Sequence, residues 1–166
     1  THPRSSAASD VYKRQSLNIP LSNLSNGTNA QEDIFFKNTK LLPLICFEST
    51  FPSLLKSNVE NEIIINISND GWFGKSLAPY QHLQITQIRA LEFNRYILRA
   101  ANTGLSAVID NNGKVIKYIP INKEGVITGF VPINLDTSFY SRYGDIFILM
   151  LLFLTLLSQG LSRLRT

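Results

Sequence analysis

The sequence has very little thiol or imidazole chemistry. Its 166 residues include one cysteine, Cys46, and two histidines, His2 and His82. A single cysteine excludes a disulfide within the chain and any metal site built from several thiolates. Two interpretations of Cys46 remain, an inert core thiol or a reactive one. We therefore expect neither a metal centre nor a bound cofactor.

The chain also lacks a basic patch. Its formal net charge is +4, but the basic residues are scattered, with Arg4 and Lys13 near the start and Arg163 and Arg165 at the end. A scattered distribution indicates a surface of mixed charge rather than a nucleic-acid interface. We expect no nucleic acid among its partners.

The first fifteen residues contain no apolar run that would form a signal peptide or a membrane segment. They read THPRSSAASDVYKRQ and do not begin with Met. We expect residues 1–15 to be a non-native or disordered tail. Residues 16–142 are expected to form one domain, and the polar, turn-rich start of that domain predicts a loop with a short strand at Ile34–Phe36.

Apolar runs and turn signals in the domain predict an α/β fold. Leu41–Phe47 and Glu62–Ser68 are short and apolar, as buried strands are, and Pro52 is suited to the first turn of a short helix between them. Asn111-Asn112-Gly113 predicts a hairpin. The strands it would join, and one further strand, are Leu105–Asp110, Lys114–Ile119 and Gly125–Pro132.

A long helix is predicted over Gln81–Ala101. Leu83, Ala90 and Ile97 fall seven residues apart, which places them on one helical face. The sequence Asn102-Thr103-Gly104 would then form its C-terminal cap.

The end of the chain is apolar on every side. Ile146–Leu157 reads IFILMLLFLTLL, and with its more polar continuation it reaches the length of a membrane helix. We predict a transmembrane helix over 143–162, the alternative being a buried core helix. Arg163 and Arg165 would put the tail at 163–166 in the cytoplasm, and the domain would lie on the periplasmic side.

Cys46 lies at the end of a predicted strand, before a turn into a helix. Nucleophiles often occupy such turns, because nearby backbone N–H groups face the developing oxyanion. The N–H of Phe47 is the expected donor. Glu48 is interpreted either as a group that holds a cation or orders a loop, or as a cap of the following helix. A Cys–His dyad with His82 is a further hypothesis, against a capping or packing role for that histidine.

Several motifs in order carry a family resemblance. They are Ile45-Cys46-Phe47-Glu48, then Ile67-Ser68-Asn69-Asp70-Gly71-Trp72-Phe73-Gly74, then Pro79-Tyr80-Gln81-His82, Arg89-Ala90-Leu91-Glu92, Arg99-Ala100-Ala101-Asn102-Thr103-Gly104 and Tyr143-Gly144-Asp145. Together with the apolar end of the chain, they resemble the apolipoprotein N-acyltransferase family of the carbon–nitrogen hydrolase (nitrilase) superfamily. The resemblance covers the chain from about Ile19 onward.

The resemblance implies a fold and a reaction. The fold is a nitrilase-like α-β-β-α sandwich, incomplete here, followed by one C-terminal transmembrane helix in the bacterial inner membrane. The reaction moves an acyl chain from a phospholipid to the N-terminal amine of an apolipoprotein through a cysteine thioester. Cys46 matches the nucleophile of a Glu–Lys–Cys triad, and Glu48 matches a second glutamate beside it. Phe47 stands where the family commonly has Tyr.

The same resemblance places the triad Glu and Lys before Leu17, so we expect the chain to be inactive by itself. Trp72 and Phe73 are interpreted either as a hydrophobic lid or as rings lining the entrance for the acyl chain. Asn69 and Asp70 are expected to be turn formers. The competing functions are a soluble nitrilase-type amidase and a non-catalytic membrane-anchored binding domain.

Overall fold

The computed structural model describes residues 34–56, 60–133 and 136–163. The predicted tail at 1–15 lies outside these residues. Within them, six strands form one mixed sheet in the order β1-β2-β3-β4-β5-β6. The strands are β1 (Ile34–Phe36), β2 (Thr39–Ile45), β3 (Ile63–Asn69), β4 (Tyr96–Asn102), β5 (Ser106–Ile109) and β6 (Val115–Ile119).

In the described ranges, four α-helices and two 3₁₀ turns connect or follow these strands. The helices are α1 (Pro52–Lys56), α2 (Ala78–Phe93), α3 (Phe139–Tyr143) and α4 (Ile146–Arg163), and the 3₁₀ turns are Cys46–Thr50 and Asp70–Phe73. The α/β class predicted from the sequence is confirmed.

The centre of the sheet is parallel. β3 pairs with β2 on one side and with β4 on the other, both in parallel, whereas β1, β5 and β6 add antiparallel pairs. The connections between parallel strands contain α1 and α2. Ile45 is level with Ile67, and Asn69 is level with Asn102, so the carboxyl ends of the three strands lie at one edge of the sheet. In open α/β sheets this edge is where ligands bind.

The hydrophobic core lies between one face of the sheet and the helices. Alternate residues of the strands point toward it, as the two-residue period of a strand requires. Its buried members are Leu42, Leu44, Leu55, Ile64, Ala90, Phe93, Ile97, Ala107 and Ile109. Tyr140 of α3 joins the core edge-on against the ring of Phe93, with 5.9 Å between ring centroids.

The opposite face of the sheet is apolar but partly exposed. Ile45 is 57% exposed and its neighbour Ile67 is 52% exposed. The described residues therefore supply one β layer and one α layer of the four-layer sandwich that the resemblance implied.

The prediction of one helix over Gln81–Ala101 is wrong. Helix α2 ends at Phe93, because Asn94 takes the left-handed conformation (φ 52°) and its N–H donates to the carbonyls of Ala90 and Leu91. Asparagine adopts that conformation more easily than most residues. Tyr96–Asn102 then pairs in parallel with β3. The seven-residue repeat that predicted a helix through this segment is therefore coincidental.

The hairpin at Asn111-Asn112-Gly113 is confirmed, with Gly113 at a φ of 77° between β5 and β6. The strand predicted at Gly125–Pro132 is wrong, since the structure has no strand in that range. Two glycines and a proline weaken it, and Val126 and Phe130 are almost fully exposed.

Helix α4 contains the predicted apolar run. The large apolar side chains between Ile146 and Leu157 are all exposed. Over the described part of the chain, no helix combines the length and hydrophobicity needed to cross a bilayer. The predicted membrane span at 143–162 is therefore not confirmed.

Candidate active site

Cys46 is the first residue after β2, at the carboxyl edge of the sheet. Its φ is 51°, a left-handed conformation that is costly for a residue with a Cβ and is often found at functional sites. Its carbonyl oxygen accepts hydrogen bonds from Ser49 Oγ at 3.3 Å, Asn66 Nδ2 at 3.2 Å and His82 Nε2 at 3.2 Å. Three donors from three elements hold the backbone of Cys46 in this conformation.

The two residues after Cys46 have different surroundings. Phe47, whose N–H is the predicted oxyanion donor, has an exposed ring that lies edge-on to Phe51 and tilted toward His82. The carboxylate of Glu48 turns back and accepts a 2.7 Å hydrogen bond from the N–H of Ile45. Of the interpretations open for Glu48, this contact agrees with a capping carboxylate, here at the start of the 3₁₀ turn Cys46–Thr50.

Asp70 is the centre of a buried polar cluster below Cys46. Its Oδ1 accepts from Ser68 Oγ at 2.6 Å, and Arg99 Nη2 donates to both carboxylate oxygens at 3.0 and 2.8 Å. His82 Nδ1 lies 3.2 Å from the same Oδ1. Asp70 is 2% exposed. The interpretation of Asp70 as only a turn former is incomplete, because its carboxylate links Ser68, His82 and Arg99.

His82 joins this cluster to Cys46. Burial lowers the pKa of His82 below 6.5, and the positive charge of Arg99 lowers it further. A neutral ring carries one proton. Nδ1 faces Asp70 Oδ1 at 3.2 Å and Arg99 Nη2 at 3.1 Å, and a proton on Nε2 is donated to the Cys46 carbonyl at 3.2 Å. Both ring nitrogens are thus engaged away from the Cys46 sulfur, so the geometry does not form the hypothesised Cys–His dyad.

Arg99 reaches the cluster from β4. Its Nη1 donates to Asn66 Oδ1 and approaches Thr86 Oγ1 at 3.5 Å, and its Nε donates to the Leu105 carbonyl at 3.2 Å. This guanidinium therefore ties β3, α2 and the β4–β5 connection to Asp70. A buried arginine of this kind is expected to be paired and fully hydrogen-bonded.

The connection after β4 is fitted closely to Asp70. A Cβ built on Gly104 would lie 2.1 Å from Asp70 Oδ2 and 2.6 Å from Asp70 Cβ, so position 104 has no room for a side chain. The predicted role of Asn102-Thr103-Gly104 as a helix cap is wrong, since these residues leave a strand. Gly104 instead allows the backbone to approach the ion pair.

The aromatic pair predicted to bind substrate lies on the second 3₁₀ turn. Trp72 is 64% exposed. Phe73 is partly buried and lies edge-on against His82, with 5.9 Å between centroids. The structure thus separates the two rings, because Phe73 covers the polar cluster whereas Trp72 faces outward.

The sulfur of Cys46 contacts the buried polar cluster through Ser68. Cys46 Sγ lies 3.5 Å from Ser68 Oγ. In the part of the chain that the structure describes, no group of three or more His, Cys, Asp or Glu side chains is arranged to hold a metal ion. The chemistry available at this edge is that of a partly exposed thiol supported by a buried ion pair, with the rings of Phe47 and Phe73 beside His82.

Sequence reasoning missed Asn66, Ser68 and Arg99 as parts of this site. A signal for the first two exists, because Ile64, Asn66 and Ser68 alternate along β3 and must share one face. For Arg99 the incorrect helix assignment hid its place on a strand beside β3.

The sequence and the fold are similar to those of known proteins. A family model described as carbon–nitrogen hydrolase matches residues 4–138. An apolipoprotein N-acyltransferase of Rickettsia bellii is 45% identical over 118 residues, which is 70% of this chain and 24% of the relative. One from Pasteurella multocida is 37% identical over 150 residues, 89% of this chain and 29% of the relative. The resemblance found from the motifs is confirmed.

A solved structure supports the fold. The carbon–nitrogen hydrolase of Helicobacter pylori G27 aligns with a TM-score of 0.54 at 15% identity, covering 60% of this chain and 43% of that one. At this identity the likeness concerns the fold alone. The chain spans about a quarter of the length of the curated relatives it matches.

Proposed function

The chain belongs to the carbon–nitrogen hydrolase family, and on that premise we propose that it carries the nucleophile of a membrane-attached N-acyltransferase. In this proposal Cys46 accepts a fatty acyl group from a phospholipid and passes it to the N-terminal amine of an apolipoprotein. The similarity to apolipoprotein N-acyltransferases over most of this chain supports the choice of reaction.

The observation that carries the proposal is the conformation of Cys46. Its left-handed backbone, after the last residue of β2, is held by three donors to its carbonyl oxygen. Such an arrangement fixes where the sulfur lies at the open edge of the sheet. A thiol that only fills a core needs no fixed, unfavourable backbone.

The chemistry divides acyl transfer into two steps. The Cys46 thiolate attacks the ester carbonyl of the phospholipid, the carbon–oxygen bond breaks, and the lysophospholipid leaves as an alcohol after taking a proton. The apolipoprotein amine then attacks the thioester, its nitrogen gives up a proton to the general base, the carbon–sulfur bond breaks, and an amide forms as the thiolate is released. Two moderate barriers replace one high barrier.

We assign supporting roles at the same edge. The N–H of Phe47 is proposed to donate to the oxyanion in both steps. Glu48 is proposed as a positioning residue, since its carboxylate holds the N–H of Ile45 and thereby the turn that contains Cys46. The general base and the lysine that stabilises the oxyanion are assigned, from the resemblance, to sequence before Leu17. We therefore propose that the chain by itself does not turn over.

The aromatic rim is proposed to receive the acyl chain. Phe47, Phe51 and Trp72 expose half or more of their surface, and exposed aromatic rings are favoured where an apolar chain meets water. In the full-length protein, Trp72→Ala is expected to weaken lipid use more than folding. Equal losses in acylation rate and thermal stability would instead support a hydrophobic lid.

Helix α4 is proposed to hold the domain at the bacterial inner membrane. Its large apolar side chains from Ile146 to Leu157 are exposed, and such a surface is stable in contact with lipid. The orientation proposed is a periplasmic domain with a cytoplasmic C-terminus. Labelling of single cysteines introduced before and after α4, with a reagent that does not cross membranes, tests both the insertion and its direction.

The decisive experiment is detection of the acyl-enzyme. Full-length protein is incubated with phospholipid and without acceptor, and the tryptic peptide Leu41–Lys56 is analysed by mass spectrometry. We expect an acyl mass on Cys46 that hydroxylamine removes, and none in Cys46→Ala. Absence of the adduct in active protein would refute Cys46 as the acyl carrier, and its formation in the isolated chain would refute inactivity of the chain by itself.

The alternative function is hydrolysis of an amide by a nitrilase-type amidase, which the name of the matched family favours. In that case water rather than an amine accepts the acyl group. Release of free carboxylic acid from a small amide, with no transfer from phospholipid to a lipidated peptide, would support the alternative.

A further inference from the structure

Ser68 is a buried hydroxyl beside the sulfur of Cys46, and the two-step scheme above gives it no role. It lies on β3 on the face turned toward α2 and is 4% exposed. Its Oγ is 3.5 Å from Cys46 Sγ and 2.6 Å from Asp70 Oδ1. The hydroxyl therefore stands between the sulfur and the buried carboxylate.

We propose that Ser68 is a further catalytic residue, whose hydroxyl accepts from the Cys46 thiol at rest and donates to the thiolate once the proton has left. The proposal rests on the proposed function to the extent that Cys46 is the nucleophile. No covalent bond to Ser68 forms, and the thiol proton leaves to the general base of that scheme or, in its absence, to water.

The resting arrangement follows from counting protons. A serine hydroxyl has one proton to donate and two lone pairs. The 2.6 Å contact with Asp70 is short, as charge-assisted bonds are, so the proton points to the carboxylate. A lone pair is then left for the Cys46 thiol, which is a weak donor.

When the Cys46 thiol ionises, the Ser68 hydroxyl donates to the sulfur instead of accepting from it. The thiolate is a strong acceptor, and rotation about the Cβ–Oγ bond brings the hydroxyl proton to it. Asp70 remains satisfied during this change, because Arg99 Nη2 donates to both of its oxygens. The ion pair thus allows the hydroxyl to change partner without leaving a buried carboxylate unpaired.

The charged and titratable groups near Cys46 do not duplicate this contact. Glu48, on the same turn, is bonded to the N–H of Ile45. His82, on α2, is bonded to the Cys46 carbonyl rather than to the sulfur. Arg99, on β4, reaches Asp70 and His82. Among the residues that the structure describes, Ser68 is the side chain that reaches the sulfur itself.

Alkylation of Cys46 tests the proposal without requiring acyl transfer. The rate of modification of peptide Leu41–Lys56 by iodoacetamide is measured from pH 5 to 10 in the full-length protein. Loss of a hydrogen bond to a charged acceptor in Ser68→Ala is expected to raise the midpoint of the profile by about one pH unit. Below the midpoint, alkylation then slows by about tenfold.

Two variants serve as controls. Ser68→Thr keeps the hydroxyl and is expected to retain the original midpoint. Ser106→Ala removes a hydroxyl of the same sheet whose hydrogen bonds, within the described residues, are with the backbone of Ala101, and its midpoint is expected to stay unchanged. If Ser68→Ala does not fold, Ser68→Val is compared with Ser68→Thr. Valine and threonine have the same shape, and valine has a methyl group where threonine has the hydroxyl.

The direction in which the alkylation midpoint moves in Ser68→Ala tests the proposal. A midpoint that stays the same or falls on loss of the hydroxyl would overturn the proposal, because a hydroxyl that only accepts stabilises the thiol rather than the thiolate. Failure of the proposed function has a different signature, since the alkylation midpoint would still move although no acyl-thioester forms on Cys46. An acyl-thioester together with an unmoved midpoint would refute only the role of Ser68.

Discussion

Neutralising Asp70 is expected to destabilise the fold severely. Asp70→Asn keeps the shape of the side chain but removes the charge that compensates Arg99. Both side chains of this ion pair are fully buried, with 2.8 Å between Arg99 Nη2 and Asp70 Oδ2. Arg99 would then remain as a buried cation without its counter-charge.

The expected magnitude follows from the burial of the pair. Breaking a buried ion pair by removing one partner costs about 3–5 kcal/mol, against a total stability of about 5–15 kcal/mol for a domain. A loss of about 4 kcal/mol lowers the ratio of folded to unfolded protein by about a thousandfold. The remaining bonds of Arg99 to Asn66 and Leu105 do not supply negative charge, so they leave this cost in place.

A double-mutant cycle separates charge from packing. The free energy of unfolding is measured by urea titration with pulse proteolysis for Asp70→Asn, Arg99→Met and the double variant in the detergent-solubilised protein. Each single variant leaves one buried charge, whereas the double variant leaves none. We expect the double variant to be more stable than the sum of the single losses predicts, by about 2 kcal/mol or more.

Two results would refute the prediction for the Asp70–Arg99 ion pair. A loss below about 1 kcal/mol in Asp70→Asn would mean that water reaches Arg99. Additivity of the two single losses within about 0.5 kcal/mol would mean that the charges do not interact. Either result would remove the basis for treating this cluster as the rigid support of Cys46.

Two further predictions concern the neighbours of this ion pair. Gly104→Ala is expected to lower the unfolding temperature and slow acylation together, because its Cβ would lie 2.1 Å from Asp70 Oδ2, and overpacking costs about 1–3 kcal/mol; an unchanged unfolding temperature would contradict the close approach. Burial lowers the pKa of His82 below 6.5, and Arg99 lowers it further, so the unfolded chain binds this proton more readily. Stability contributed above pH 6.5 is therefore lost as the pH falls toward the lower folded-state value. As the pH is lowered from 7.5 to 5, the unfolding temperature should fall less steeply in His82→Gln than in the original protein. Equal slopes would mean that protonation of His82 does not destabilise the fold.

The strand that leads to Cys46 was predictable because its signals are local. Leu41–Phe47 is too short and too apolar for much else, and the observed β2 (Thr39–Ile45) ends directly before Cys46. The helix that Pro52 opens and the hairpin at Asn111-Asn112-Gly113 likewise depend on the conformational limits of proline and on the freedom of asparagine and glycine. Motif order also carried enough information to identify the family.

The end of α2 was not predictable from the same kind of signal. The seven-residue repeat continues through Ile97, yet Asn94 ends the helix and Tyr96–Asn102 becomes β4. Parallel pairing with β3, which precedes α2 in the chain, makes this segment a strand rather than a continuation of the helix. Local periodicity contains no information about that partner.

By itself, the sequence determined where the proposed nucleophile stands along the chain, which strand leads to it and which family the chain belongs to, because these depend on residue types close together in the chain. Only the tertiary structure decided what supports Cys46. Asn66, Ser68, Asp70, His82 and Arg99 come from separate elements and meet because β3 and β4 are parallel neighbours beneath α2. Their hydrogen bonds and charges act through space at about 3 Å, and sequence spacing does not encode such distances.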